Sequence, residues 1–268
     1  MKLKIYMVTY KGHTRLNPTL TSLFGSDLVD HDYELNIINN HTDIRLPEQF
    51  EGKVNIIHNS LRPDFSWGHL SRNWNQALIN GFESLAEPAC DIVVCTQDDS
   101  IFRKEWVARL LSAHERFDFV QNGHGDQFHS YKPEAVRKVG LWDERYIMSR
   151  HAADYFWRCV MHNKDKSSFQ DPRHHRIWNP LFPGEPIEKS WGWLVDPDPR
   201  QIDASTPANP LDLSMSEKLM AAKFPFDPFP WTIEKIMKAP DRTITDNHIL
   251  YPYFEKDVYD LQGKGFIT

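Results

Sequence analysis

Nowhere in the 268 residues do eighteen apolar side chains run together, so no segment reads as a membrane-spanning helix. The first residues enter an apolar run at 3–10 without the longer stretch of a secretory leader, and a soluble, cytoplasmic chain with no integral membrane association is expected. Basic residues are few and scattered. Lys and Arg total 31 against 37 Asp and Glu, a formal charge of −6, which excludes a nucleic-acid surface and an anionic membrane as partners. The three cysteines fit a reducing compartment. Two of them, Cys90 and Cys95, sit at opposite ends of one expected strand, about 16 Å apart at about 3.3 Å per residue, and cannot pair. Internal repeats and low-complexity runs are also missing. What remains, 40% apolar and 25% charged, is globular material with enough apolar residues for a real core.

Two unlike stretches follow each other. Up to about residue 162 the chain alternates in the manner of an α/β fold: strands at 3–10, 33–38, 54–58, 91–96 and 117–121, with helical segments between them and a further one at 153–161. Trp74, Ala77, Leu78, Phe82 and Leu85 share one face of a long helix, and Trp106, Leu110 and Leu111 one face of the next; these aromatics are core by their spacing. Beyond Arg176 lie 12 of the 18 prolines. Short helices are predicted there at 216–223 and 232–238, each opened by a Ser or Thr, in an otherwise extended wrap. The expected organisation is one domain at 1–176 and a C-terminal extension at 177–268 that packs on its acceptor side and does not fold alone.

The apolar run Ile92-Val93-Val94-Cys95-Thr96 stops at Gln97-Asp98-Asp99-Ser100. A β-branched run of this kind reads as a strand covered on both faces, and open α/β sheets bind ligands just beyond the carboxyl ends of such strands. Adjacent carboxylates repel unless a cation or a donor-rich ligand sits between them. Hard oxygen ligands suit Mg²⁺ or Mn²⁺ shared with substrate phosphates. The alternative is a solvated Asp-Asp-Ser turn capping the next helix.

The order of these signals from residue 3 to 158 resembles GT-A fold glycosyltransferases, closest to the inverting family-2 type. Thr9, Tyr10 and Arg15 stand where that family's first strand and helix line the nucleotide. Ile38-Asn39-Asn40-His41-Thr42 is similar to its Val-Asp-Asn-Gly-Ser-like base-binding turn, with Asn39 replacing Asp, and Ser71-Arg72-Asn73 to its Ala-Arg-Asn helix start. Gln97-Asp98-Asp99 resembles the Asp-x-Asp motif, with Asp99 as the metal ligand and Gln97 replacing the first Asp. Val139-Gly140-Leu141-Trp142-Asp143-Glu144 looks like its Val-Gly-Gly-Phe-Asp-Glu segment, and Ala152-Ala153-Asp154-Tyr155-Phe156-Trp157-Arg158 falls where a Glu-Asp pair carries the catalytic base.

The resemblance implies a mixed, mostly parallel Rossmann-like sheet flanked by helices. It also implies a nucleotide-diphosphate sugar donor, UDP preferred, a glycan acceptor and Mn²⁺ or Mg²⁺. The donor residues would be Thr9, Tyr10, Arg15, Asn39, Asn40, Arg72, Asn73, Gln97 and Asp98, with Asp99 and His174 or His175 on the metal. Asp154 is carried over as the base, with Ala152 at that position in the other alignment and an i, i+4 pairing of Asp154 with Arg158 as the competing role. Asp126, Trp142 and Trp191 are the acceptor candidates. Rival readings are a sugar-1-phosphate nucleotidyltransferase, suggested by 11–21 but short of its glycines, an inactive glycan-binding GT-A module, and a retaining transferase on the same scaffold.

Overall fold

The computed structural model describes residues 1–9, 13–40, 44–59, 69–115, 117–122, 127–146, 150–163, 194–197, 210–224 and 258–266. Its centre is a six-stranded sheet in the order β3-β2-β1-β4-β7-β6. Strands β1 (Lys2–Thr9), β2 (Asp32–Asn39), β3 (Asn55–His58) and β4 (Ile92–Gln97) run parallel. Antiparallel β7 (Phe128–Tyr131) and β6 (Phe119–Asn122) close the far edge. The mixed, mostly parallel α/β sheet expected from the sequence is therefore present. Strand order reverses between β1 and β4: the chain first builds outward through β2 and β3, then returns to the other side of β1. A crevice forms at the carboxyl ends of strands at such a switch point.

Alternation along the strands divides the core in two. Tyr6, Val8, Ile38, Val93, Cys95 and Tyr131 face α2 (Leu70–Phe82), α4 (Pro133–Val139) and α5 (His151–Asn163). Leu3, Ile5, Met7, Ile37, Val94 and Phe128 face α1 (His13–Phe24) and α3 (Trp106–His114). Each fully buried leucine of α1, Leu16, Leu20 and Leu23, contributes about 1.5–3 kcal/mol by leaving water. The helix α2 lies tight on the sheet at Gly81, where an added Cβ would collide with Val93 Cγ2 and crowd Tyr6. Trp74 and Trp106 are fully buried, as their helical spacing predicts.

The structure differs from the sequence reading at several elements. The first helix begins at His13 with Pro18 inside it rather than at its start. Strand β7 was not foreseen, because Phe-His-Ser-Tyr shows no period-2 pattern although all four residues are buried. A second sheet pairs β5 (Ser100–Phe102) with β8 (Val195–Pro197), and Asn122 Oδ1 fastens it by accepting from the Leu194 and Val195 amides at 2.8 and 2.9 Å. Farther along, α6 (Pro210–Lys223) is longer than expected and starts on its proline. Both α6 and α7 (Val258–Gly263) pack on the α2 side of the core through Met220, Phe224 and Leu261. The helix predicted at 232–238 lies outside the described residues. Among those described, no helix is long and apolar enough to cross a membrane.

Candidate functional site

Thr9 ends β1 and Asp98 follows β4, so the switch point brings them together: Thr9 Oγ1 donates to Asp98 Oδ2 at 2.6 Å. The backbone is tied as well, with the Asp98 amide on Val8 O at 3.1 Å. Arg15 and Thr19 project from α1 at i, i+4. Thr19 Oγ1 donates to the Asp98 carbonyl at 2.7 Å, and a guanidinium nitrogen of Arg15 lies 3.8 Å from Asp98 Oδ1. Asp98 is 5% exposed. Burial pushes its carboxyl up to about 6, the Asp99 charge adds to the rise, and the Thr9 hydrogen bond and Arg15 counter only part of it. Asp99, half-buried, is the next residue, and Gln127 Nε2 donates to its carbonyl at 3.4 Å.

A second group occupies the neighbouring strand ends. Asn39 Nδ2 donates to His58 Nδ1 at 3.2 Å, the Asn40 amide to Thr9 O at 3.0 Å and the Asn59 amide to Asn39 O at 2.8 Å. Asn59 and Gln76 exchange side-chain hydrogen bonds of 2.7 and 3.2 Å. Asn59 Nδ2 also reaches Asn40 Oδ1 and Asn73 Oδ1, at 3.4 and 3.3 Å. Helix α2 starts here with His69 Nδ1 accepting from the Arg72 amide at 3.4 Å, so Arg72 and Asn73 lie in its first turn.

The third group is a buried charge network around the segment 141–146. Asp154, 1% exposed, accepts from Arg158 Nε at 3.0 Å, and its other oxygen lies 2.6 Å from the Lys223 ammonium. That ammonium also donates to Asp143 Oδ2 at 2.8 Å. Burial alone would raise the Asp143 carboxyl, but hydrogen bonds from Arg145 and the Lys223 charge outweigh it and hold it below the usual range. Segment 141–146 is bound to α2 on its other side. Asn75 Nδ2 donates to Trp142 O and to Glu144 Oε1, both at 2.9 Å. Ser71 Oγ donates to Tyr146 O at 2.8 Å, and Arg72 Nε lies 3.7 Å from Glu144 Oε2.

The structure thus gathers Thr9, Arg15 and Asp98 at one corner beside Gln97 and Asp99, and joins Asn39, Asn40 and Asn73 through Asn59 and His58. Asp154 is expected as the base; it lies on α5, on the side of the sheet opposite α1, with Arg158 and Lys223 as its near cations. Trp142 is among the residues expected on the acceptor side. It is fully buried, stacked on Tyr155 at 4.4 Å with its indole nitrogen donating to Tyr131 Oη at 3.0 Å, and offers no open face to a sugar. Tyr10, Asp126, His174, His175 and Trp191 lie outside the described residues.

Sequence reasoning missed Asn59, Gln76 and Lys223. The strand-end rule that singled out Asp98 would have found Asn59, which directly follows β3. Among the described residues no three His, Cys, Asp or Glu side chains gather as a metal cage. The carboxylates of residues 98 and 99 instead fit a hard cation that keeps water and draws its other ligands from substrate phosphates.

No protein-family model and no curated protein sequence matches the chain. Solved structures do. The chain is similar to residues 1–349 of S. aureus TarS, with 13% identity over 60% of this chain and a TM-score of 0.45. It spans 56% of that TarS chain, which has also been solved with UDP and with UDP-GlcNAc. It is similar to the mannosyltransferase PcManGT of Pyrobaculum calidifontis, solved with GDP-Man and Mn²⁺, with 11% identity, 82% of this chain and 74% of that one, and a TM-score of 0.40. GalNAc-T7 with UDP, GalNAc and Mn²⁺ matches 60% of this chain and 40% of its own at 10% identity and a TM-score of 0.45.

Proposed function

We propose that this chain is a glycosyltransferase that moves a sugar from a nucleotide-diphosphate sugar, UDP-linked by preference, to a hydroxyl of a glycan acceptor with inversion. The observation that carries the reading is the Thr9–Asp98 hydrogen bond across the switch point. It sets a carboxylate pair at the mouth of the crevice where open α/β sheets hold their ligands. The ordered motifs from residue 3 to 158 support the same reading. Thr9, Arg15, Asn39, Asn40, Arg72 and Asn73 would bind the nucleotide, and Asp99 would hold Mn²⁺ or Mg²⁺. When bound, such an ion neutralises charge that develops on the departing diphosphate. Asp154 would take the acceptor's proton only where the acceptor can reach it, since it is 1% exposed and paired with Arg158 and Lys223. The C-terminal extension, whose described parts pack on the first 163 residues, would complete the acceptor side.

A panel of UDP, GDP and dTDP with and without Mn²⁺, read by thermal unfolding, tests the reading. A ligand bound only by the folded chain adds about 2.7 kcal/mol at one hundred times its dissociation constant. We expect stabilisation by at least one diphosphate that depends on Mn²⁺ and is lost in Asp99→Ala. Equal melting with and without every nucleotide would end the proposal. The occupied state of Asp154 favours a second reading, a glycan-binding module without turnover. Metal-dependent hydrolysis of a UDP-sugar, abolished in Asp99→Ala, would exclude that reading.

A further inference from the structure

The two oxygens of Asp154 are held unequally. Oδ2 accepts from Arg158 Nε at 3.0 Å, a pairing made within α5 itself. Oδ1 lies 2.6 Å from the Lys223 ammonium of α6, yet among the described residues nothing donates to it in hydrogen-bonding geometry. The ammonium spends its directed bond on Asp143 Oδ2 instead, at 2.8 Å. Buried carboxylate oxygens normally take a directed donor as well as a nearby charge, so Lys223 covers Asp154 Oδ1 without satisfying it. A hydroxyl, which brings an O–H donor, can improve on that contact.

Core and helix also depend on this contact to different degrees. With Lys223 withdrawn, Asp143 still has Arg145 at 2.5 Å and Asp154 still has Arg158 at 3.0 Å, and the released ammonium is taken up by water. Breaking a buried pair is costly when one charge stays behind without a partner; departure of the whole helix leaves none. The rest of the attachment is slight. Of the 14 residues of α6, Ser216, Met220 and Lys223 point inward, with Phe224 directly behind and Leu219 half-buried, while the others from 214 to 222 are exposed. Its outer ion pair, Glu217 with Arg150, is open to solvent and weakly held. We propose that α6 is a lid latched over Asp154 by Lys223, which opens as a unit while the sheet and α5 stay folded and so admits an acceptor hydroxyl to Asp154 Oδ1. The purpose of the lid rests on the nucleotide-sugar reading, in which Asp154 is the base.

Hydrogen–deuterium exchange of the intact chain follows the lid with no nucleotide present. Amides of α6 should exchange at least about tenfold faster than those of α2, the mark of an element that opens below the global unfolding free energy. Low urea should leave the α6 rate nearly flat and raise the α2 rate steeply, because lid opening exposes little surface and global unfolding exposes much. Carbodiimide coupling of glycinamide, located by mass spectrometry, reads whether opening uncovers Asp154. Lys223→Ser should speed both α6 exchange and Asp154 labelling, and Met220→Ala, which loosens the apolar contact and leaves every charge in place, should move both in the same direction. If α6 and α2 share one rate and one urea dependence, α6 is a fixed part of the core and the lid is overturned. If α6 opens while Asp154 labelling stays at the wild-type level in both variants, the helix does not guard that carboxylate and the proposal is likewise overturned. If α6 opens and Asp154 is labelled in a chain that ignores every nucleotide diphosphate, the lid stands and the transferase reading falls.

Discussion

Asp98 and Asp154 are both withdrawn from solvent, at 5% and 1% exposure, yet their partners differ in kind. Asp98 is met by a hydroxyl at 2.6 Å and by a guanidinium no nearer than 3.8 Å. Asp154 lies between two cations at 2.6 and 3.0 Å. The first carboxylate is therefore under-compensated, and its acidity drops accordingly, to a value near 6. The second is ion-paired by the protein itself. Unmet electrostatic demand is what a binding or catalytic position looks like before its ligand arrives, whereas a closed ion-pair network is what holds elements together. The switch-point corner keeps a charge without a close cation, and the network around 141–146 is the frame that holds α2, α5 and α6 against one another.

The same substitution at the two positions should then act with opposite sign. Asp154→Asn removes the charge that compensates Arg158 and Lys223 in the interior, and breaking a buried pair in this way costs about 3–5 kcal/mol. Urea unfolding at neutral pH measures it. Lys223→Met added to Asp154→Asn should cost less than the two singles combined, because neighbours in one network are not additive. A loss below about 1 kcal/mol for Asp154→Asn would show that the cations find water instead, and would erase the contrast with Asp98.

Asp98→Asn should stabilise the metal-free chain. Its folded carboxyl titrates near 6 against 3.8 as the reference, so the group adds stability that is fully present below 3.8 and lost as pH rises through 6. At neutral pH the wild type carries the whole penalty, about 3 kcal/mol for a shift of this size, and the amide does not. The gain of Asp98→Asn should shrink as pH falls below 6 and vanish near pH 4. Unfolding curves at pH 4, 5, 6 and 7 without divalent metal check this, and a gain that stays flat across the range would refute it.

The two regions were also unequally legible in the sequence. Strands β1, β2 and β4 announce themselves by β-branched and apolar runs, and the position of Asp98 and Asp99 follows once β4 is recognised. The docking of α6 does not. Its inward residues Ser216, Met220, Lys223 and Phe224 fall at i, i+4, i+7 and i+8, but a hydrophobic pattern counts Ser216 and Lys223 as solvent-facing, since the partners that make Lys223 fit are Asp143 and Asp154, far away in the chain. Strand β7 was hidden for a related reason. His129 and Ser130 are polar by type, yet one packs its ring against Trp74 and the other meets His114 Nε2 at 2.9 Å. Partners brought together by tertiary structure overrule local polarity, and a single sequence does not display them.

The smallest expected effect sharpens the comparison within one pair of helices. Arg150, just before α5, and Glu217 on α6 form an ion pair of 3.0 Å with side chains 35% and 55% exposed. Lys223 and Asp154 join the same two helices at 2.6 Å in the interior. Distance is nearly equal, so burial is the variable. Water screens the exposed pair and both side chains give up rotamer freedom to form it, so Glu217→Gln should change unfolding free energy by less than about 1 kcal/mol and respond to added salt. Lys223→Met alone leaves Asp143 and Asp154 facing each other with Arg145 and Arg158 as their remaining cations, and should cost several times as much with little dependence on salt. Parallel urea titrations of the two variants at low and high ionic strength decide it: equal losses would mean that the α5–α6 contact is held by its apolar residues, and that the buried network holds nothing beyond its own charges.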